Sequence, residues 1–265
     1  MTRGTHASIG TGSNTSLMDI WKYYGINHRG HLVCNPTSEA KLDELVSLLP
    51  LQTGARVLDI ACGKAELLLR IAERHGCSGV GVDISPYEVE QAKRRTKERN
   101  LPSKVEIILG NGSEYEFEQH SFNLAMCLGA TWVWNGYAGT IEALKKAVVP
   151  GGFIAIGEPF KLKEPSPEYA AAEPGFVDSL VTHARNIEIA LEHGLTPLYS
   201  IVSSTDDWDR YEGLQWLAAE QYAIEQPGDP DVPELLEKAR RSRHVYLQHG
   251  RDTLNWAIYL FRAPV

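Results

Sequence analysis

The chain has 265 residues, with 26 Lys plus Arg against 34 Asp plus Glu, a net charge of −8. That length and a 43% hydrophobic content describe one globular core with an elaboration, and the acidic balance excludes a protein that grips nucleic acid through its phosphates. Four scattered cysteines, Cys34, Cys62, Cys77 and Cys127, form no CxxC pair, which excludes a disulfide framework and a zinc ribbon, so the expected setting is a reducing cytoplasm with no bound metal.

No run approaches the apolar length of a membrane span, and no membrane partner is expected. Met1 to Ser16, rich in Gly, Ser, Thr and Asn, reads as a loose arm without an apolar targeting segment. Trp21, Tyr23 and Tyr24 are too apolar for a disordered tail, and an amphipathic helix is predicted over Ser38–Leu49. From Arg56 onward short apolar runs alternate with helix-length segments, the pattern of a parallel sheet covered on both faces. Seven strands are expected: Arg56–Ile60, Gly79–Asp83, Val105–Leu109, Asn123–Leu128, Phe153–Gly157, Pro197–Ser203 and Thr253–Phe261.

Between them, Ala65–Arg74 places Leu67, Leu68, Ile71 and Ala72 on one helical face and stops at Gly76, with His75 interacting with the helix dipole. Ser85-Pro86-Tyr87-Glu88 opens a second helix as a capping box. Its basic run, Lys93 to Arg95 with Lys97 and Arg99, alternates with Glu and reads as a solvated face. Ile141–Val148, ended by Pro150-Gly151-Gly152, and Asp178–Glu192 are further helices. Residues 206–250 form a helix-rich insertion between the last two strands, broken at Pro227-Gly228-Asp229-Pro230. The organisation expected is an arm over 1–35, a core over 36–205 and 251–265, and a helical lid over 206–250.

The chemistry concentrates in Val57-Leu58-Asp59-Ile60-Ala61-Cys62-Gly63-Lys64-Ala65-Glu66. A strand that ends in Asp and turns through small residues into a helix brings backbone N–H groups close to a ligand. The carboxylate would repel a diphosphate, so a cationic or amino-bearing ligand fits better, and the missing GxGxxG disfavours a nicotinamide dehydrogenase. Asp83 ends the next strand, followed by Ile84, at the distance from which an acid can accept both hydroxyls of a ribose. Asn111-Gly112-Ser113 follows the third strand, where the Asn111 oxygen can accept from an adenine amino group.

With VLDIACGKAE, GVGVDIS, ILGNGS, FNLAMCLGA and LKKAVVPGGFIAIGEP in this order, the chain resembles the class I S-adenosylmethionine-dependent methyltransferases over roughly Pro36–Ser203 and the last strand. The resemblance implies a seven-stranded, mostly parallel Rossmann-like α/β sheet with a reversed final strand. It also implies S-adenosyl-L-methionine as cofactor, leaving as S-adenosyl-L-homocysteine. Carried onto this chain, the resemblance implies that Asp59, Ala61, Cys62 and Gly63 face the methionyl part, Asp83 the ribose, Asn111 and Gly112 the adenine, and Leu128 the sulfonium, with Ile84 and Ser113 also among the cofactor-binding residues. Ala61 and Ala65 stand where the family commonly has glycine, which is costly only where φ is positive.

On the acceptor side, the loops after the fourth and fifth strands open on the same sheet edge, presenting Trp132 and Glu158. Glu158 and His31 are the expected catalytic groups, and Tyr23, Tyr24, Trp132, Trp208 and Tyr211 the expected acceptor-binding ones. The reading is methyl transfer to a small-molecule acceptor by in-line displacement. The alternatives are a protein or nucleic-acid methyltransferase, for which no Asn-Pro-Pro-Tyr-like run follows the fourth strand, and a non-catalytic S-adenosylmethionine-binding subunit.

Overall fold

The computed structural model describes residues 18–265, so the arm expected over Met1 to Ser16 lies outside the described residues. Seven strands form one sheet: β1 (Arg56–Ile60), β2 (Ser78–Asp83), β3 (Val105–Leu109), β4 (Phe122–Leu128), β5 (Val148–Lys161), β6 (Thr196–Val202) and β7 (Leu254–Arg262), in the order β3-β2-β1-β4-β5-β7-β6. Strands β1 to β5 are parallel and β7 runs antiparallel to both β5 and β6. Continuous burial along β1 and β4 follows from their apolar runs, because helices cover both faces.

On one face pack α2 (Glu39–Leu48), α3 (Glu66–His75) and α4 (Pro86–Glu98), through a cluster that includes Leu42, Leu45, Leu68, Ile71 and Ala92. On the other lie α5 (Tyr137–Ala147) and α8 (His183–Glu192), around Leu58, Ile60, Ile141, Leu144 and Ala190. An N-terminal helix, α1 (Ile20–Asn27), meets α9 (Thr205–Glu225) and α10 (Val232–Val245) through Met18, Ile26, Ala219, Leu235 and Ala239. The expected break at Pro227–Pro230 separates α9 from α10. Ser204 Oγ and the Asp207 carboxylate cap α9 reciprocally, at 3.2 and 2.7 Å.

Several expectations are corrected. Strand β5 runs from Val148 to Lys161, well beyond Phe153–Gly157, because β7 supplies partners as far as the Lys161 and Leu254 pair. Pro150-Gly151-Gly152 lies inside that strand, where the pairing with β4 shifts register, and α5 begins at Tyr137 rather than Ile141. The helix expected over Asp178–Glu192 is broken: α7 (Phe176–Ser179) ends, Thr182 caps α8 through its hydroxyl, and a short α6 (Pro167–Ala172) precedes both. Ser85 Oγ does accept from the Glu88 N–H at 3.4 Å, but the Ser85 N–H donates to Asp83 at 2.8 Å, so Glu88 does not complete the box. Arg95 and Arg99 leave the supposed solvated face to pair with the buried Glu66, at 3.2 and 2.6 Å. His75 bonds the Val46 carbonyl of α2 at 2.9 Å.

Candidate active site

The carboxyl ends of β1, β2 and β4 open into one cavity, lined by Asp59, Ala61, Cys62, Gly63, Asp83, Ile84, Asn111, Gly112 and Leu128 from the sheet edge. Its other walls are Trp132 and Val133 after β4, Ile20, Trp21 and Tyr24 of α1, residues 32–35, and Tyr211 of α9. Of the residues expected around the cofactor, only Ser113 is not part of this lining.

The loop after β1 is held by its own backbone. Cys62 N–H donates to the Val82 carbonyl at 3.1 Å, and Gly63 N–H to Asp83 Oδ2 at 2.7 Å. Ala61, Gly63 and Ala65 have φ of 57, 53 and 57°, so the two alanines follow a left-handed path that glycine adopts without strain. Gly112 brings the third turn against β1, since a Cβ there would lie 2.4 Å from Ile60.

Asp83 Oδ2 accepts the Gly63 N–H at 2.7 Å and Oδ1 the Ser85 N–H at 2.8 Å, the Ile84 N–H also bonds the carboxylate, and one acceptor position remains open. Burial raises the Asp83 carboxyl above its usual range, and those N–H groups oppose the rise. Asp59, 4% exposed, is pushed up to about 8 by burial, with the charge of Asp83 adding to it. Two buried acids at adjacent strand ends suit a ligand that brings a cation and hydroxyl donors. That donor set, together with the small-residue loop and apolar Ile84, Leu128 and Val133, fits S-adenosylmethionine. Asn111 is less free than expected. Its oxygen accepts from Ser113 N–H and Oγ at 3.1 and 2.9 Å, and its amide donates to Glu114 at 3.1 Å.

Sequence reasoning missed Lys64, Cys34 and Glu88. Lys64, 2% exposed, turns its ammonium away from water to the carbonyls of His28 and, at 2.8 Å, His31. Burial lowers its pKa, opposed by Glu88 and Cys34. Glu88 is fully buried and pushed up to about 7 by that burial, with Cys34 Sγ 3.8 Å from one oxygen and no partner on the other. A lysine inside a small-residue loop was the available signal for Lys64; the burial of Glu88 was hidden by its helix-capping position.

Tyr24, Trp132 and Tyr211 of the expected acceptor set line the cavity, whereas Tyr23 and Trp208 do not. Tyr23 packs into the α1, α9 and α10 cluster beneath the Lys238 ammonium, 4.9 Å from its ring. Trp208 donates to Asn255 Oδ1 at 3.0 Å and packs beside Tyr169 and Leu254. His31 and Glu158 are also absent from the lining. His31 is 5% exposed, bonds the Tyr211 carbonyl at 2.8 Å, and has its pKa lowered by burial. Glu158 is pushed up to about 7 by burial, opposed by a hydrogen bond from Thr131, and it faces Tyr137, Tyr259 and Cys127 on the α5 side of the sheet. The alternation of β5 accounts for this. Gly157, its neighbour, faces Trp256 on the opposite side, so Glu158 turns towards α5.

A methyltransferase-domain family profile matches residues 57–152. The S-adenosylmethionine-dependent methyltransferase from Thiobacillus denitrificans, solved with S-adenosyl-L-homocysteine, is 31% identical, covers 93% of this chain and 100% of its own, and superposes with a TM-score of 0.86. That from Geobacter sulfurreducens, also solved with S-adenosyl-L-homocysteine, is 30% identical over 91% of this chain and 97% of its own, with a TM-score of 0.85. The 27-O-demethylrifamycin SV methyltransferase of Amycolatopsis mediterranei is 26% identical over 84% of each chain. With two full-length relatives of this likeness, and two acids and a small-residue turn at the sheet edge, the chain belongs to the class I S-adenosylmethionine-dependent methyltransferases, enzymes for which S-adenosylmethionine is the cofactor.

Proposed function

We propose that the enzyme methylates a small-molecule acceptor in a chamber closed by its own α1 and α9. The observation that carries this is the roof. Ile20, Trp21, Tyr24 and Tyr211 cover the cavity, and Arg29–Glu225, Lys22–Asp229 and Lys22–Asp231 ion pairs tie α1 to the 205–250 segment. A chamber roofed this way suits a small acceptor better than a polymer, and the net charge of −8 disfavours a nucleic acid. The likeness to a methyltransferase named for a rifamycin acceptor supports the same reading.

S-adenosylmethionine, when bound, supplies a methyl group on a sulfonium that a nucleophile can displace in line. In this reading Asp83 would accept from the ribose through its remaining acceptor position, and Asp59 would face the ammonium. Ile84, Asn111 and Gly112, which line the cavity, would flank the adenosine, and Leu128 would lie beside the sulfur. Tyr24, Trp132 and Tyr211 wall the acceptor and exclude water, so the rate enhancement comes from alignment and desolvation. His31 and Glu158, standing off the lining, serve the site through its architecture: His31 fixes the α9 backbone at Tyr211, and Glu158 anchors Thr131 after β4.

The test supplies isotope-labelled S-adenosylmethionine with metabolite extracts and follows the label by mass spectrometry. Label is expected in a low-molecular-weight product, and label confined to protein or nucleic acid would overturn the acceptor class. In parallel, Asp83→Ala is expected to cost about 1–3 kcal/mol of S-adenosylhomocysteine affinity by calorimetry, through loss of charge-assisted hydrogen bonds. Unchanged affinity would remove Asp83 from the cofactor site.

A further inference from the structure

Among the described residues, eight side chains carry a fully buried polar atom with no hydrogen-bond partner, and only one of them, Asn35, lines the cofactor cavity. Asn35 is 8% exposed. Its Oδ1 is the orphan atom, and its amide nitrogen donates to no described residue either. Only the backbone is tied locally, the Asn35 carbonyl accepting from the Thr37 N–H at 2.9 Å. An amide shut away from water without partners destabilises the empty protein, and a ligand that supplies the missing hydrogen bonds removes that penalty.

The placement of Asn35 says which ligand. Its neighbour Cys34 lies over the turn after β1, with Sγ 3.6 Å from where a Cβ on Gly63 would stand. Two residues further on, Thr37 Oγ1 accepts from Trp256 Nε1 at 3.1 Å, and the Trp256 ring comes within 3.1 Å of a Cβ placed on Gly129, just past β4. The segment therefore runs from β1 towards β4, away from the ends of β2 and β3, where Asp83 and Asn111 stand. A second cavity, a groove between residues 31–40 and α9, meets the chamber across Leu32, Val33, Asn35 and Tyr211, which line both. The groove reaches water at the exposed Glu39, Ala40 and Arg210, and none of Asp59, Gly63, Asp83, Asn111 or Leu128 belongs to it. A group on that boundary meets a molecule arriving through the groove rather than a cofactor lying along the strand ends. Leu32 and Val33 bring apolar surface there, and the Tyr211 hydroxyl turns to the Cys34 carbonyl at 3.5 Å, so Asn35 supplies the uncommitted donor and acceptor. Its last torsion is soft enough to present either atom. Being neutral and buried, the amide suits a partner that needs no counter-charge, a hydroxyl or a carboxamide, each of which donates and accepts.

We propose that Asn35 is an acceptor-binding residue, which takes a neutral hydroxyl or carboxamide group of the incoming molecule at the boundary between groove and chamber and so selects acceptors that carry one. This rests on the small-molecule reading above and specifies its substrate class. The test compares the wild-type protein with Asn35→Leu, which keeps the size and removes the polarity. In urea unfolding without ligand, the midpoint of the variant is expected to stay the same or rise, because no hydrogen bond is lost; a lower midpoint would make Asn35 structural and overturn the proposal. S-adenosylhomocysteine affinity by calorimetry is expected to be unchanged, and a loss would move Asn35 to the cofactor. The probe for the acceptor is a serially diluted metabolite extract with isotope-labelled S-adenosylmethionine. The extract concentration giving half the maximal labelling rate is expected to rise at least tenfold in Asn35→Leu. Mass-spectrometric fragmentation of the wild-type product is expected to show a hydroxyl or carboxamide besides the methylated group. An unchanged half-maximal concentration, or a product without such a group, overturns the proposal. Absence of any labelled small molecule with the wild-type protein would instead count against the reading on which the proposal rests.

Discussion

At Ala61 and Ala65 the chain keeps the backbone path of a glycine loop while carrying methyl groups, both at φ of 57°. A left-handed conformation costs an L-residue about 1–2 kcal/mol, and glycine offsets part of any relief through its larger unfolded-state entropy. Ala61→Gly is therefore expected to raise stability by about 0.5–1 kcal/mol in urea unfolding. Ala65→Gly should be close to neutral, because Ala65 is fully buried and its methyl is worth about as much in burial as the strain it causes. Asp59 offers a second test. Its folded pKa of about 8 lies above the ordinary 3.8, so its contribution to apoenzyme stability is full below about 4 and lost as pH rises through about 8. A cationic ligand reverses the preference by favouring the carboxylate. S-adenosylhomocysteine affinity should thus rise with pH across that window, with proton release measurable by calorimetry in buffers of different ionisation enthalpy. Asp59→Asn should remove this part of the dependence.

Among the elements, α3 and α4 are joined by Glu66, whose fully buried carboxylate takes Arg70, Arg95 and Arg99 at 2.7, 3.2 and 2.6 Å. Glu66→Ala should cost about 2–3 kcal/mol, read as a lower urea midpoint at constant m-value. A wholly buried pair would lose about 3–5 kcal/mol, but here the three guanidiniums keep some access to water. Such a pairing is invisible in a sequence, where Arg95 and Arg99 look like any other members of a mixed-charge helix face. The strands were legible because burial on both sheet faces demands continuous apolar runs, and Asp59, Gly63 and Asp83 because strand ends in such a sheet converge on one edge. Residues 162–182 were not: α6 and α7 are one turn or little more each, too short for a helical period to show. The facing of Glu158 depends on its register against β7, which nothing local specifies.

For the whole molecule, the cavity lies between a rigid sheet edge and a roof contributed by segments from opposite ends of the chain, 18–35 and 205–250. If that roof works as a lid, amide hydrogen exchange in α1, α9 and α10 should slow when S-adenosylhomocysteine and an acceptor are both present, while β1 and β4 change little. Exchange unaffected by ligands would make the roof a fixed part of the fold. Lys64 is the link through which such a motion would be felt at the loop. Its buried ammonium joins the loop beside Gly63 to the backbone of the arm at His28 and His31, so loop and arm are coupled, and coupling is reciprocal. If the roof does open as a lid, a ligand that favours the closed loop also favours the docked arm, and the product leaves only once the arm has lifted. On those terms Lys64 bears on turnover through the arm it holds, without touching the reacting atoms.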